Sequence, residues 1–313
     1  MNSSPQNSEN GKKQQPLVSI IVITYNSARF VLETLESARA QTYKNIELIV
    51  SDDASTDDTV EICRNWINEK NERFVRTELI TVPDNTGIPA NCNRGLRAAK
   101  GEWIKYIAGD DALMEDCIMD NLDHINRNFG ISILTSRSKC YENTFDERNL
   151  VSTYPSESVI LSFFSKHIEP IDQFEYLLSK NVINACTVFL RKKIIVEVGC
   201  FDETLRFIED YPMWLKLTKA GYRIHYFNRI TALYRLTNES LSANKKEGLF
   251  NNSLHTYERV RKKYVYPELP LQKVLSFKYT YYVSVCLKSM LFNKRNKFSY
   301  YVARFFLRKI NPF

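Results

Sequence analysis

The sequence predicts an α/β fold: a Rossmann-like, mostly parallel sheet flanked by helices, followed by a helical C-terminal extension. Between residues 17 and 108, short β-rich runs alternate with helical periodicity in the order β-α-β-α-β-α-β. Strands separated in this way are joined by crossover helices and so run parallel. The first run, LVSIIVITY at 17–25, is apolar almost throughout, as a strand buried on both faces must be. Composition agrees: 313 residues, 44% hydrophobic and 25% charged, are ordinary for a globular chain with a sizeable core.

Each element follows from its residues. Asn26 or Ser27 can cap a helix whose Val31, Leu35 and Ala38 share one face. IELIV at 46–50 is a second strand, followed by an acidic loop and a helix carrying Val60, Cys63 and Ile67. ELITV at 78–82 is a third strand, and Pro89 falls early in a helix running to Ala99. WIKYIA at 103–108 is the fourth and ends in Gly-Asp-Asp. Beyond it, 113–129 reads as a helix, 131–141 as a strand, and Glu142 to Glu157 as a polar loop over the sheet. ACTVFLR at 185–191 is strand-like; Glu209 to Ala220 is helical, with Pro212 in the first turn, where proline is tolerated. RIHYF at 223–227 and TALYRL at 231–236 suggest a closing antiparallel pair.

The net charge of +7 is unevenly spread. Residues 258–313 hold 13 Lys and Arg against Glu258 and Glu268, a local +11 that leaves −4 for residues 1–257. A basic tail rich in Tyr and Phe points to an anionic surface. No helix-turn-helix, zinc or RRM signature accompanies it, which argues against nucleic acid and leaves a membrane surface. The same aromatics also suit helices that pack on the body, and one set of helices can do both. The polar start MNSSPQNSENGKKQQP has no apolar signal core, and no apolar run approaches the ~20 residues that span a bilayer. The longest tail stretch, 279–292, is broken by Lys288. Cys63, Cys92, Cys117, Cys140, Cys186, Cys200 and Cys286 form no C-x-x-C and read as reduced thiols. The expected location is the cytoplasm, with the tail placing the chain peripherally on the inner face of the cell membrane.

Three acidic sites carry the chemistry. DDASTDDT at 52–59 follows the second strand, where ligands bind in open α/β sheets. Asp57 or Thr56 suffices to cap the next helix, so Asp52 and Asp53 exceed what capping needs. GDD at 109–111 follows the fourth strand. Adjacent carboxylates repel unless a cation compensates, and Mg²⁺ or Mn²⁺ takes one or two carboxylates while sharing substrate phosphates. Helix capping is the competing use, and it requires a single Asp. IEDYPMW at 208–214 opens a helix; taken alone, Asp210 reads as a helix-start acid, and its sharper reading is a general base. His124, His167, His225 and His255 have no partner motif and read as core or surface residues. The turn after the first strand, TYNSARF, has no G-x-G-x-x-G, and only 9 Gly are present, so a dinucleotide oxidoreductase is disfavoured.

Read together, these segments resemble the family-2, GT-A-fold inverting glycosyltransferases. VSIIVITYN, IELIVSDDASTDDT, the Asn93-Arg94-Gly95 segment, GEWIKYIAGDD and GCFDE…IEDYPMWLKL stand in family order, and the resemblance covers residues 17–236. It implies that Asp53 recognises the nucleotide base with Tyr25 beside it. It implies that Asp111 is the metal-binding acid of a degenerate DxD motif, that Asp52 and Asp110 support these acids, and that Asn93 belongs to the donor site. Of the Glu209–Asp210 pair, Asp210 is implied as the catalytic base. Many relatives carry Arg before the helix Asn; here Cys92 precedes Asn93, and Arg94 or Arg97 would have to take over its phosphate contact.

The implied activity is metal-dependent, with Mn²⁺ or Mg²⁺, moving a sugar from a nucleotide-diphospho sugar, UDP-linked or thymidine-linked, to a glycan or lipid-linked glycan. Residues 1–15 are then a disordered leader, 16–112 the nucleotide-binding half, 113–245 the acceptor half, and 246–313 the basic helical extension. The alternative is a non-catalytic nucleotide-sugar-binding or assembly protein on the same fold, which loss of Asp111 or Asp210 would favour; both are present.

Overall fold

The computed structural model of the chain describes residues 15–165, 167–237, 253–290, 301–302 and 306. Residues 1–14, 238–252 and most of the chain after 290 lie outside the described residues, and with them the expected leader and part of the expected basic extension. The elements are β1 (Val18–Thr24), α1 (Val31–Arg39), β2 (Ile46–Asp52), α2 (Thr59–Lys70), β3 (Arg76–Ile80), α3 (Ile88–Ala98) and β4 (Trp103–Ala108). A short β5 (Ala112–Leu113) precedes α4 (Cys117–Arg127), β6 (Ile133–Glu142), β7 (Leu150–Tyr154), α5 (Glu157–Phe163) and α6 (Pro170–Leu177). β8 (Phe189–Arg191), α7 (Lys192–Glu197), α8 (Asp210–Lys219), β9 (His225–Leu236), α9 (Leu254–Val260) and α10 (Leu271–Met290) complete the order.

The described strands form one nine-stranded sheet in the order β3-β2-β1-β4-β8-β6-β9-β5, with β7 added on β6. β3, β2, β1 and β4 run parallel, as expected from their crossover helices. Register sets Thr24 opposite Asp52 and Ile23 opposite Ala108, so the acidic turns after β2 and β4 emerge at one edge. The apolar β1 divides its side chains between two cores. Ile21 packs in the cluster that holds Leu96, Trp214 and Val260, while Val18, Ile20 and Val22 join Leu35, Trp66 and Ile118 on the other face. A Cβ at Gly95 would collide with Cγ2 of Ile21, so glycine lets α3 lie directly on β1.

Several boundaries differ from expectation. The expected antiparallel pair at 223–236 is one strand, β9, running parallel to β6: the chain continues straight through Asn228-Arg229, where neither Gly nor Pro is present to reverse it. Register shifts around Arg137 absorb the irregularity. The loop expected at 142–157 contains β7, an edge strand antiparallel to β6. Strand 185–191 begins only at Phe189, after a 3₁₀ turn over Ala185–Thr187. The third strand lies two residues earlier than expected, and the helix expected from 113 starts at Cys117, because Ala112–Leu113 pairs with β9. The C-terminal extension is helical where it is described, and Val260 and Val265 are fully buried in the core cluster that holds Ile21 and Trp214. All seven cysteines are free, five of them buried.

Candidate active site

The turn after β1 is stitched to the turn after β2. Asn26 adopts φ 49°, a left-handed conformation Asn tolerates, and its side-chain oxygen accepts from the Thr56 N–H at 2.8 Å. Asn26 N–H donates to Ser55 Oγ at 2.8 Å, and Ala28 N–H donates to Asp57 at 3.1 Å. Asp57 also accepts from Thr59, the helix-start role its position suggested. Tyr25 is left 49% exposed on the rim. Asp52 is buried, accepting from Thr24 Oγ1 at 2.8 Å and from the Ser55 N–H and hydroxyl at 2.8 and 2.5 Å, so it shapes the turn.

Asp53 organises the neighbouring loop. Its carboxylate accepts from Thr86 N–H at 3.0 Å, Thr86 Oγ1 at 2.6 Å, Gly87 N–H at 2.7 Å and the Arg94 guanidinium at 3.2 Å. Gly87 is required there: its φ is +95°, and a Cβ would lie 2.6 Å from the Arg206 carbonyl oxygen. Ile88 N–H donates to that same carbonyl, and Arg206 reaches back to Asn85. Asp53 is thereby tied to the segment that leads into Glu209. Arg94 also reaches Asn91, Thr86 and Ser51, so it is committed to this network. Asn93 uses its amide in both directions: Nδ2 donates to Phe201 O and Glu203, and Oδ1 accepts from the Phe201 N–H. It positions the 201–203 segment from within the protein.

Asp110 and Asp111 extend from β4. Asp111 is turned inward, with Oδ1 accepting the Arg235 N–H at 2.8 Å and its carbonyl accepting Thr34 Oγ1 at 2.6 Å. Asp110 is half-buried, and its carbonyl accepts Arg235 Nε at 2.7 Å. Burial raises both carboxyls above the ordinary Asp range, and in Asp111 the neighbouring Asp110 adds to the rise. The Arg235 charge, and for Asp111 also that of buried Lys105, partly offset this. Among the described residues no three His, Cys, Asp or Glu side chains are grouped to enclose a metal. Two carboxylates held together under such strain nevertheless fit a hard divalent cation that takes its remaining ligands from phosphate and water.

Glu209 caps α8 and Asp210 is its first residue. Asp210 accepts from Asn181 Nδ2 at 2.9 Å and from the Tyr211 N–H at 2.6 Å. The Trp214 indole N–H, buried without a hydrogen-bond partner among the described residues, also favours its ionised form. Burial still raises Asp210, and burial with the Asp210 charge pushes Glu209 up to about 8. Tyr257 of α9 stands beside the pair, its ring centroid 6.3 Å from that of Tyr211 and its hydroxyl pushed up to about 12 by burial and by Asp210. A carboxyl with a raised folded pKa binds more protons folded than unfolded, so its contribution to stability is lost as pH rises from its ordinary 4.5 toward 8. Glu209→Gln is therefore expected to lose less stability than the wild type between pH 5 and pH 8. Thermal melts at the two pH values check this, and parallel curves would place Glu209 in a solvated, unperturbed setting.

Arg235, Asn181, Arg206 and Trp214 belong to the site and were not anticipated. Burial raises the Tyr154 hydroxyl, with the neighbouring Tyr176 and the Asp210 charge adding to the rise. A mostly parallel sheet with one acid pair beyond its strands and a second at a nearby helix start defines a domain of the GT-A class. The chain belongs to glycosyl transferase family 2, whose sequence model matches residues 19–199, more than half its length. It is 29% identical over 241 residues to the Escherichia coli UDP-Glc:alpha-D-GlcNAc-diphosphoundecaprenol beta-1,3-glucosyltransferase WfaP, covering 76% of this chain and 84% of that one. An uncharacterized glycosyltransferase of Rickettsia typhi is 29% identical over 208 residues, 66% of this chain; the chain spans only 60% of that relative. The fold matches S. aureus TarS in complex with UDP-GlcNAc at a TM-score of 0.59 and 21% identity, covering 79% of this chain and 65% of that one. It also matches the mannosyltransferase PcManGT from Pyrobaculum calidifontis, in complex with GDP-Man and Mn²⁺, at 0.53 and 19%, over 73% and 59% of the two chains.

Proposed function

We propose that this chain is a metal-dependent inverting glycosyltransferase that moves a sugar from a UDP-linked donor to a hydroxyl of a glycan or lipid-linked glycan. The observation that carries the reading is the divergence within the Glu209–Asp210 pair. Two neighbouring carboxyls cannot both ionise cheaply. Asn181 and the Tyr211 N–H donate to Asp210 and favour its charge, whereas Glu209 is pushed up to about 8 and holds the proton. Such a split marks the charged member as a base.

Asp210 takes the proton of the acceptor hydroxyl as its oxygen bonds to the anomeric carbon. The bond from that carbon to the diphosphate oxygen breaks in the same displacement, inverting the centre and releasing nucleoside diphosphate. No Ser or Cys nucleophile is needed. Asp53, with the 85–87 loop it holds, and Tyr25 form the wall for the base. Asp110 and Asp111 would hold Mn²⁺ or Mg²⁺, which when bound stabilises charge on the departing diphosphate. The WfaP likeness supports the UDP donor and the lipid-linked acceptor.

A donor screen that scores nucleotide release, with Mn²⁺ and with chelator, tests the reading; no release from any UDP- or thymidine-linked sugar in the presence of metal would count against it. Calorimetry with UDP separates the acids. Asp111→Ala is expected to remove the gain in affinity that Mn²⁺ brings, and Asp53→Ala to weaken binding with and without metal. Equal losses in both conditions for both variants would reverse the assignment.

A further inference from the structure

We infer that α10 is an interfacial helix that docks on an anionic lipid surface through the face formed by Leu271, Leu275, Tyr279, Tyr282, Cys286 and Met290. These residues recur at intervals of three and four and so form one stripe along the helix. All six are exposed, Leu275 at 55% and Tyr282 at 58%, and the stripe contains no charge. The opposite face is already used, because Val274, Ser284 and Leu287 are buried and Phe277 packs toward Tyr266. An apolar helix face is normally packed against its surroundings. Here one side is enclosed by the body and the other stands open over five turns, which calls for a cover.

Charge selects the cover. α10 carries Lys273, Lys278 and Lys288 and no acid, and 13 Lys and Arg follow Glu258 in the sequence. The two acids of this region are engaged inside the protein: buried Glu258 accepts from the Tyr266 hydroxyl at 2.8 Å, and Glu268 pairs with Lys219 at 2.6 Å. A second copy of the chain would bring equal positive charge against this one, whereas anionic headgroups complement it. Two Tyr at the middle of the stripe suit the headgroup level, where an apolar ring and a polar hydroxyl are both accommodated. Among the described residues no helix is long and apolar enough to cross a membrane, so α10 lies on the surface instead of spanning it. The extension cannot be cut away to test this, because Val260 and Val265 belong to the core.

The inference stands apart from the chemistry at Asp210, because vesicle binding is read without sugar transfer. The full chain is co-sedimented with phosphatidylcholine vesicles and with vesicles in which about a third of the lipid is anionic phosphatidylglycerol, whose negative surface attracts basic segments. Binding is expected to the anionic vesicles alone and to fall as salt is raised. The double variant Leu275→Ser/Tyr282→Ser should bind at least tenfold more weakly while melting like the wild type, since both side chains are exposed. Unchanged binding by the variant, or none by the wild type, would overturn the inference. So would a concentration-dependent dimer in sedimentation velocity that the double variant abolishes, because the face would then be covered by a second copy.

Discussion

Asp210→Asn is expected to bind nucleotide as the wild type does and to transfer sugar ~10²–10⁴-fold more slowly, the range that general-base catalysis supplies. The amide keeps the size and shape of the carboxylate, and Asn181 can turn its own amide to stay bonded, so the fold should persist. What is lost is the acceptor for the incoming proton. Glu209 cannot substitute readily: its pKa of about 8 is set partly by the Asp210 charge, and without that charge it falls, leaving a weaker base at a different place. The pH profile should therefore change shape as well as height. Single-turnover transfer with the donor found in the screen, beside calorimetry with UDP, makes the measurement. A variant that transfers at a tenth of the wild-type rate or faster would reduce Asp210 to a helix-start acid.

The residues at the sheet's carboxyl edge were legible because the strands that carry them are. β1 and β2 are buried on both faces and carry runs of Ile, Val and Leu, their turns contain Asp and Ser at positions that leave the sheet, and register does the rest by setting Thr24 beside Asp52. β9 was misread as two strands because Asn228 and Arg229 are exposed and interrupt the apolar pattern without turning the chain. β7 was missed because none of its residues is buried, so it carries no core signal. The supporting residues of the site could not be read at all. Asn181 meets Asp210 across 29 residues of sequence, and Arg235 meets Asp110 across 125. Polar residue type alone does not distinguish such partners from a solvated surface. Asn93 shows the converse: its motif was visible, yet its amide serves the 201–203 segment.

Arg235→Met is expected to destabilise the protein by about 3 kcal/mol, the scale of removing one member of a buried charged network. Arg235 is 2% exposed, and every side of its guanidinium is used. Nε donates to the Asp110 carbonyl at 2.7 Å, the two terminal nitrogens donate to the Asn143 carbonyl and the Glu33 carboxylate, and Phe145 and Phe30 cover its faces at 3.8 and 4.5 Å from the ring centroids. Methionine fills much of the volume but leaves two carbonyls without donors and the Asp110–Asp111 pair without its nearest cation. Lysine restores the charge without the planar fork, so Arg235→Lys should recover part of the loss. The pH dependence carries the sign of the electrostatic share. Both aspartates already have raised pKa values, and removing Arg235 raises them further, so the variant's deficit should be largest near neutral pH and shrink as protonation removes the charge that Arg235 offsets. Urea unfolding at pH 5 and pH 7.5 measures both. A deficit that does not change with pH would assign Arg235 to packing between the two phenylalanines, and a midpoint equal to that of the wild type would remove it from the support of the acid pair.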